Sequence, residues 1–339
     1  MNDNQNRAMG AVMGTLIGDA LGVGPHWYYD LDQLKKDYGE WIDNYTEPKA
    51  NRYHAGLKAG ENSQTGQVVT MLLESVSDCG EYVESDFTNR LDDLLKTLDG
   101  TPSSGRYTDK VMRNVWVSRQ KNELDWSEAG SFGDTAEAAI RTPVLAAHYY
   151  RDIKSLMNTL RSNVLLTHRD PFIAGQSAAF GLIISCLIEG NNLGDVSKII
   201  FKKASKENIH TVIEVPDHHN GKRAVSFNDA LLQPSWSYKA ANDPAIKIEP
   251  ALAVCRLFGL ACTLGFMLPA AYYLASRFEN DFYKAVMSAL NGGGNNMARA
   301  ALTGALVGAQ VGLDGIPKNL IKGLFDHERL LNMAEKITA

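Results

Sequence analysis

The sequence predicts an all-α fold, organised as one large multi-helix bundle. Small residues recur at every fourth position near both ends of the chain, in the stretches 10–18 and 304–312. That spacing places glycine on one face of a helix, where it allows close packing against a neighbouring helix. Two long apolar runs, 172–189 and 251–276, add candidate interior helices. Outside the stretch 210–234 no strand-like alternation of any length appears, so the fold class follows from helices alone.

Length and composition favour a single domain that spans 1–339. The chain has 339 residues, of which 45% are hydrophobic, and this is enough to bury a large core. The formal net charge is -5, and the Lys and Arg side chains form no basic stripe interleaved with aromatic residues. Nucleic acid is therefore not expected as a partner.

Cysteine usage and the first residues predict a cytoplasmic protein. Cys79, Cys186, Cys255 and Cys262 lack the paired spacing of a metal site or a disulfide framework, which indicates thiols in a reducing compartment. The polar stretch 1–6 is not followed by the apolar region and cleavage site of a signal peptide.

The two apolar runs approach membrane-spanning length, but polar and helix-breaking residues interrupt them. The first contains Gln176, and the second contains Arg256 and Pro269. Such residues are uncommon in lipid-facing helices, so interior helices of a bundle are expected and no membrane contact is predicted.

The first predicted helix, 7–21, ends in a glycine turn beside an aromatic cluster. Asp19 lies in its last turn, and His26 follows within the sequence Pro-His-Trp-Tyr-Tyr, which ends at Asp30. Clusters of this kind are more often core or subunit packing than a platform for a ligand. The position directly after a glycine turn keeps a ligand role open for His26.

Three polar turns then precede predicted helices. The turn 61–67 offers Ser63 or Thr65 as an N-cap, and capping alone would explain its polarity. The glycine-rich stretch 130–135 opens another helix, and 165–171 places His168 before Pro171, which suits a first helical turn. A histidine at a helix end is usually an ordinary surface or packing residue, and the adjacent helix start keeps a ligand role open.

Near the C-terminus, the turn 291–297 runs into the glycine-spaced helix 298–312. Glycines allow positive φ and close approach of the backbone, and free N–H groups at a helix start attract anions. The turn is therefore either a cradle for a phosphate or sugar diphosphate, or simply the cap of a core helix.

The stretch 210–235 is the least helical part of the chain and is predicted to hold a short hairpin or an exposed insertion. It contains the adjacent His218 and His219. No carboxylate or cysteine accompanies them in a ligating pattern, so a solvated loop is favoured over a metal site.

Taken in this order, these elements resemble the ADP-ribosylglycohydrolase superfamily over nearly the whole chain. The opening stretch 10–22 is similar to the family's start GxxxGxxxGDALG, 61–67 falls where the family has TDDT, and 130–141 is similar to its glycine-rich phosphate loop. The pair Thr167-His168 matches the family's TH, and 293–312 is similar to GGDADTxAAxxGALxGAxxG. The resemblance implies an all-helical single domain with a cleft formed by these turns.

The family's two aspartate turns bind a pair of divalent ions, usually magnesium, and this sequence departs from both. Ser-Gln-Thr-Gly at 63–66 and Asn-Asn-Met-Ala at 295–298 replace the aspartate motifs, and His26 stands where many members carry glutamate. Magnesium and calcium prefer carboxylate oxygens. No metal ligand and no cofactor are therefore expected, with Mg²⁺ as the alternative. The combination is most similar to the branch related to J-type lens crystallins.

Two functions remain open from the sequence. The first is a glycosidic hydrolase acting on an ADP-ribosyl or related ribosyl or nucleoside-type substrate, free or protein-linked, without the two-metal centre. The alternative is a catalytically silent binding or structural protein. The sequence does not predict the oligomeric state.

The hydrolase hypothesis assigns His26 as the base, with Asp19 or Asp30 orienting it. The residues expected to hold substrate are Ser63, Gln64, Thr65, Gln67, Gly133, Asp134, Thr135, His168, Gly293, Gly294, Asn295 and Asn296. A carboxylate at position 134 would repel a diphosphate, which leaves that contact or the substrate class open.

Overall fold

A computed structural model describes residues 1–216 and 221–339, and within them it contains 17 α-helices and one two-stranded sheet. The prediction of an all-α fold is confirmed. The first nine helices are α1 (Asp3–Val23), α2 (Leu31–Tyr38), α3 (Gln64–Cys79), α4 (Glu84–Lys96), α5 (Lys110–Trp116), α6 (Trp126–Ala129), α7 (Glu137–Tyr149), α8 (Ile153–Leu165) and α9 (Pro171–Ile188). The remaining elements are α10 (Val196–Lys206), β1 (Val212–Pro216), β2 (Lys222–Ser226), α11 (Asn228–Asn242), α12 (Ala253–Phe258), α13 (Leu264–Arg277), α14 (Phe282–Asn291), α15 (Asn296–Val311), α16 (Lys318–Gly323) and α17 (His327–Thr338).

Helices α1 and α15 form the centre of the bundle, and their glycine faces meet directly. A Cβ atom built on Gly14 would lie 2.1 Å from the carbonyl oxygen of Gly304, and one on Gly10 would lie 2.2 Å from that of Gly308. At the other end of the pair, Gly22 lies against Met297. The helices are therefore antiparallel, and the glycine turn before α15 lies beside the end of α1.

The two apolar runs have different outcomes. The first forms α9, which among the described residues is the one helix long and apolar enough to cross a membrane, and 89% of its residues are buried inside the protein. The second run is not one helix, because Gly259 at φ 116° ends α12 and a loop precedes α13. That loop carries Cys262 toward the polar turns described below.

The predicted insertion contains a hairpin, in which Val212 pairs with Ser226 and Pro216 with Lys222. Helix α11 begins at Asn228, so the less helical stretch ends earlier than residue 235. His218 and His219 lie outside the described residues.

Candidate functional site

Asp19 anchors the turn that begins α3. Its carboxylate accepts hydrogen bonds from the Ser63 backbone N–H at 2.8 Å, from the Ser63 hydroxyl at 2.6 Å and from the Asn62 amide at 3.0 Å. Burial raises the pKa of Asp19, and these three donors lower it again. Ser63 in turn caps α3 by accepting from the Thr65 N–H. Asp19 thus fixes the position of the Ser63 turn, and none of these hydrogen bonds joins it to His26.

His26 lies between two polar partners at the end of α1. Its Nε2 is 3.1 Å from Asn295 Oδ1, and its Nδ1 is 2.6 Å from His54 Nε2. Because Asn295 Oδ1 also accepts from the Ala298 N–H, His26 Nε2 must donate to it. His26 Nδ1 then accepts from His54, which leaves the buried Nδ1 of His54 without a partner. Burial lowers the pKa of both imidazoles, that of His54 to about 4, so both are neutral.

Aromatic side chains enclose this histidine pair. The His26 ring stacks on Trp27 at 4.6 Å between centroids, and Trp27 meets Tyr53 and Tyr107 edge-on at 4.7 and 5.3 Å. Trp27 has a φ of 61°, a conformation uncommon for an aromatic residue. His26 is 3% exposed, so a ligand reaches it only if this cluster opens.

Asp30 lies apart from these histidines. Its Oδ1 accepts from the backbone N–H groups of Asp32 and Gln33 and caps α2 at the surface. None of its hydrogen bonds orients His26, and the catalytic assignment of Asp30 stays a prediction.

The glycine turn before α15 is held by backbone pairing with the aromatic cluster. Gly293 and Gly294 have φ values of 73° and 61°, and Gly294 exchanges hydrogen bonds with Trp27 and Tyr28. Asn296 is fully buried, and its amide donates to the carbonyls of Pro25 and Leu290. The turn therefore caps a core helix and uses its side chains internally.

A second polar cluster forms where α7 begins. The carboxylate of Glu137 accepts from the Thr135 hydroxyl and lies 3.2 Å from His168 Nε2. The Thr167 hydroxyl lies 2.8 Å from His168 Nδ1 and completes this series of hydrogen bonds. Burial lowers the pKa of His168 to about 3, so the imidazole is neutral and donates from Nε2 to Glu137. Burial raises the pKa of Glu137, whose side chain is 17% exposed.

Asp109 completes this cluster from the start of α5. Burial and the charge of Glu137 raise the pKa of Asp109 to about 7, although its Oδ1 accepts from the Met112 N–H. Asp109, Glu137, His168, Gln64 and Thr65 line one small cavity with room for about one water molecule. Gln64 donates to Thr108, and its Oε1 is buried without a partner.

The sequence prediction missed Asp109 and Glu137. Glu137 stands four residues before Arg141 within the apolar stretch of α7, a spacing that places both charges on one helix face. Arg141 is 1% exposed and donates to Asn163, and burial lowers its pKa to about 10. A charged pair inside an apolar helix was the available signal. Asp109 gave only the ordinary sequence pattern of an N-cap.

The two clusters adjoin at Cys262. Burial raises the pKa of this thiol, which lies beside Trp27 and Asn295, and the charge of Glu137 raises that pKa further. On the open side, the Asp134 carboxylate accepts from the Thr263 hydroxyl at 2.6 Å and is exposed. The structure therefore places three groups of predicted residues around one region. Gln64, Thr65, Thr135 and His168 lie near the carboxyl groups of Asp109 and Glu137, and Asp134 lies at the edge of this cluster. His26 and Asn295 lie on the other side of Cys262.

Two predicted positions contribute less directly. Gly133 lies against Val111 and donates its N–H to the Ser131 hydroxyl, so it shapes the loop before α7. Gln67 lies in the first turn of α3, where its N–H donates to the carbonyl of Ser63. Their substrate contacts stay predictions.

The oxygen donors at the two family turns do not fit a pair of magnesium ions. The Ser63 hydroxyl donates to Asp19, and Asn295 Oδ1 is taken by His26 and Ala298. The Asn296 side chain points inward to backbone carbonyls. Gln64 Oε1 and Asn296 Oδ1 are buried accepting oxygens with no partner, and both are neutral. Within the described residues no group of three or more His, Cys, Asp or Glu side chains has a geometry that could hold a metal ion. Divalent ions need several hard, mostly charged oxygens, which these turns do not offer.

Comparison with known proteins gives consistent results. The family model described as ADP-ribosylglycohydrolase matches residues 1–339. An uncharacterized protein of Archaeoglobus fulgidus is 27% identical over 330 residues, covering 96% of this chain and 94% of its own. Crystallin J1A of Tripedalia cystophora is 23% identical, with coverage of 98% and 97%. A solved structure named ADP-ribosylglycohydrolase-related protein complex superposes with a TM-score of 0.65 at 18% identity, covering 100% of this chain and 99% of that one, and it supports the fold.

Proposed function

The chain belongs to the ADP-ribosylglycohydrolase family, and we propose that it hydrolyses the glycosidic bond of an ADP-ribosyl or related ribosyl substrate without the family's pair of divalent ions. One observation carries this proposal. The cavity that joins the predicted residues Gln64, Thr65 and His168 is lined by two carboxyl groups and contains an acceptor oxygen with no protein partner. A buried acceptor of this kind is satisfied by a water molecule or a ligand hydroxyl.

The chemistry of the cavity fits glycoside hydrolysis. Most glycosidases use two carboxyl groups, one to activate water or attack and one to protonate the departing group. Here the residues that replace the metal turns are amides and hydroxyls, which bind sugar hydroxyls without charge. The ligand of this proposal is an ADP-ribosyl group, free or protein-linked, in the cytoplasm.

The test is turnover of a panel of ADP-ribosylated peptides, nucleosides and free ADP-ribosyl adducts. We expect at least one substrate to be hydrolysed at a rate that excess EDTA leaves unchanged. Activity that disappears with EDTA and returns with Mg²⁺ would contradict the metal-free proposal. An inactive protein on the whole panel would contradict the hydrolase itself.

A second candidate is a catalytically silent protein, and a specific observation favours it. The amide oxygen of Asn295 and the amide nitrogen of Asn296, at the turn before α15, are engaged inside the protein, as in a structural cap. Crystallin J1A is a relative over nearly the full length. Thermal unfolding with increasing ADP-ribose separates the candidates, because a ligand that binds the folded state raises the midpoint. A midpoint that never moves, together with no turnover, favours the silent protein.

A further inference from the structure

The small cavity at the start of α7 is lined by polar side chains that are not among the predicted catalytic residues His26, Asp19 and Asp30. Asp109 comes from the start of α5 and Glu137 from the first turn of α7, and both face a space for about one water molecule. Gln64 lines the same space, and its Oε1 has no partner although Gln64 is only 3% exposed. A bound water that donates to this oxygen would lie beside both carboxyl groups.

The surrounding hydrogen bonds make the two carboxyl groups unequal. Glu137 accepts from the Thr135 hydroxyl and from His168 Nε2, and two donors favour its ionised form. Asp109 accepts from the start of its own helix, through the Met112 N–H, and faces the negative charge of Glu137. The charge of Glu137 disfavours ionisation of Asp109, so the pair holds one proton, and the better hydrogen-bonded Glu137 is the ionised partner.

From this geometry we propose that Asp109 and Glu137 are the acid–base pair of the enzyme, with Glu137 activating the water in the cavity and Asp109 protonating the departing group. The proposal rests on the hydrolase function proposed above. It assigns the catalytic acid and base to residues other than His26, Asp19 and Asp30.

The step balances without a metal ion. The bond between the anomeric carbon and the departing nitrogen or oxygen breaks, and its electron pair stays with the departing atom, which takes the proton of Asp109. The water oxygen forms the new bond to the anomeric carbon, and Glu137 takes one proton of that water. Transfer of this proton from Glu137 to Asp109 then restores the starting state.

The pair also predicts a bell-shaped pH profile. Four titratable or charged groups surround the Asp109–Glu137 pair. They are His168, Arg141, Asp134 and Cys262. Activity needs Glu137 ionised and Asp109 protonated. The rate should therefore fall at low pH as Glu137 takes up a proton, and fall again above about pH 7 as Asp109 loses its own.

The experiment compares Glu137→Gln and Asp109→Asn with a control, Glu128→Gln, whose exposed carboxylate lies one short helix earlier. Two ADP-ribosyl substrates are used, one with a poorly departing alkoxide and one with 4-nitrophenolate, which departs without protonation. We expect Glu137→Gln to lower kcat about 100-fold or more on both. Asp109→Asn should lower it about 100-fold on the first substrate and less than about tenfold on the second, and it should remove the alkaline limb of the profile.

Circular dichroism and titration with ADP-ribose report whether each variant still folds and binds. Variants that bind ADP-ribose as the unaltered protein does, yet lose turnover, support the pair. The unaltered protein could turn over substrate while kcat of both variants stays within about threefold of its own value. That result would contradict the acid–base pair and leave the hydrolase function standing. If the unaltered protein turns over nothing, the hydrolase and the pair fail together. Equal losses for Asp109→Asn on both substrates would remove Asp109 as the acid.

Discussion

Replacing Asp109 by asparagine should stabilise the protein in a pH-dependent way. The carboxyl has a pKa near 3.8 in the unfolded chain and about 7 in the folded protein, because burial and the charge of Glu137 disfavour its ionised form. The folded state therefore holds a proton that the unfolded state has lost between about pH 4 and 7. In this window the free energy of unfolding falls as the pH rises.

The size of the effect follows from the shift in pKa. Each unit corresponds to 1.36 kcal/mol, so a shift of about three units costs the folded protein about 4 kcal/mol at pH 8. This is an upper limit, since Asp109 is partly exposed and its surroundings can relax. Asparagine is neutral at every pH and is as good an N-cap as aspartate, so the cap of α5 is retained.

Urea unfolding at pH 4.5 and at pH 8 measures this difference. We expect Asp109→Asn to match the unaltered protein at the lower pH and to exceed it by about 2–4 kcal/mol at the higher one. Asp152→Asn is the matched control, because Asp152 caps α8 but backbone and side-chain hydrogen bonds from Ser155 lower its pKa. Its contribution changes only below about pH 4. A gap between Asp109→Asn and the unaltered protein that does not widen with pH would refute the assignment of a protonated Asp109.

Two further predictions concern the scaffold. Gly14→Ala should cost about 3 kcal/mol or more in urea unfolding, because the new methyl group would meet the rigid carbonyl of Gly304 and force α1 away from α15. Gly221→Ala, which meets nothing within 4 Å, should stay within about 0.5 kcal/mol, and equal costs for the two would contradict this packing argument. Asp19→Asn should cost about 2–4 kcal/mol, because the amide turns a donor toward the donors of Ser63, and an unchanged urea midpoint would show that this anchor is dispensable.

The fold could be predicted from the sequence because its strongest signals are local. The glycine spacing in α1 and α15 is a pattern within each helix, and close packing is the reason for that pattern. The second apolar run shows the limit of such patterns. Its hydrophobicity is continuous, whereas the positive φ of Gly259 divides it into two helices.

The candidate site was harder to predict, because its groups meet across the sequence. Asp109 and His168 lie 59 positions apart along the chain, yet they line one cavity. His54 is another example, since an ordinary loop residue became the partner of His26 only through the fold. Sequence motifs located the turns, and the direction of each side chain was decided by hydrogen bonds that no motif encodes.

The altered family turns and the protonated Asp109 depend on the same electrostatics. Gln64 and Thr65, which by the sequence resemblance stand where the family has aspartates, line the cavity with Asp109. Two divalent ions beside that turn would place a large positive charge near the carboxyl pair and favour its ionised form. Neutral amides and hydroxyls let burial and mutual repulsion hold one proton on the pair. On the proposed mechanism, the neutral side chains of this turn and the carboxyl acid in the cavity therefore depend on each other. The substitution Gln64→Asp should lower the pKa of Asp109 only if Mg²⁺ binds, and otherwise raise it further by adding negative charge.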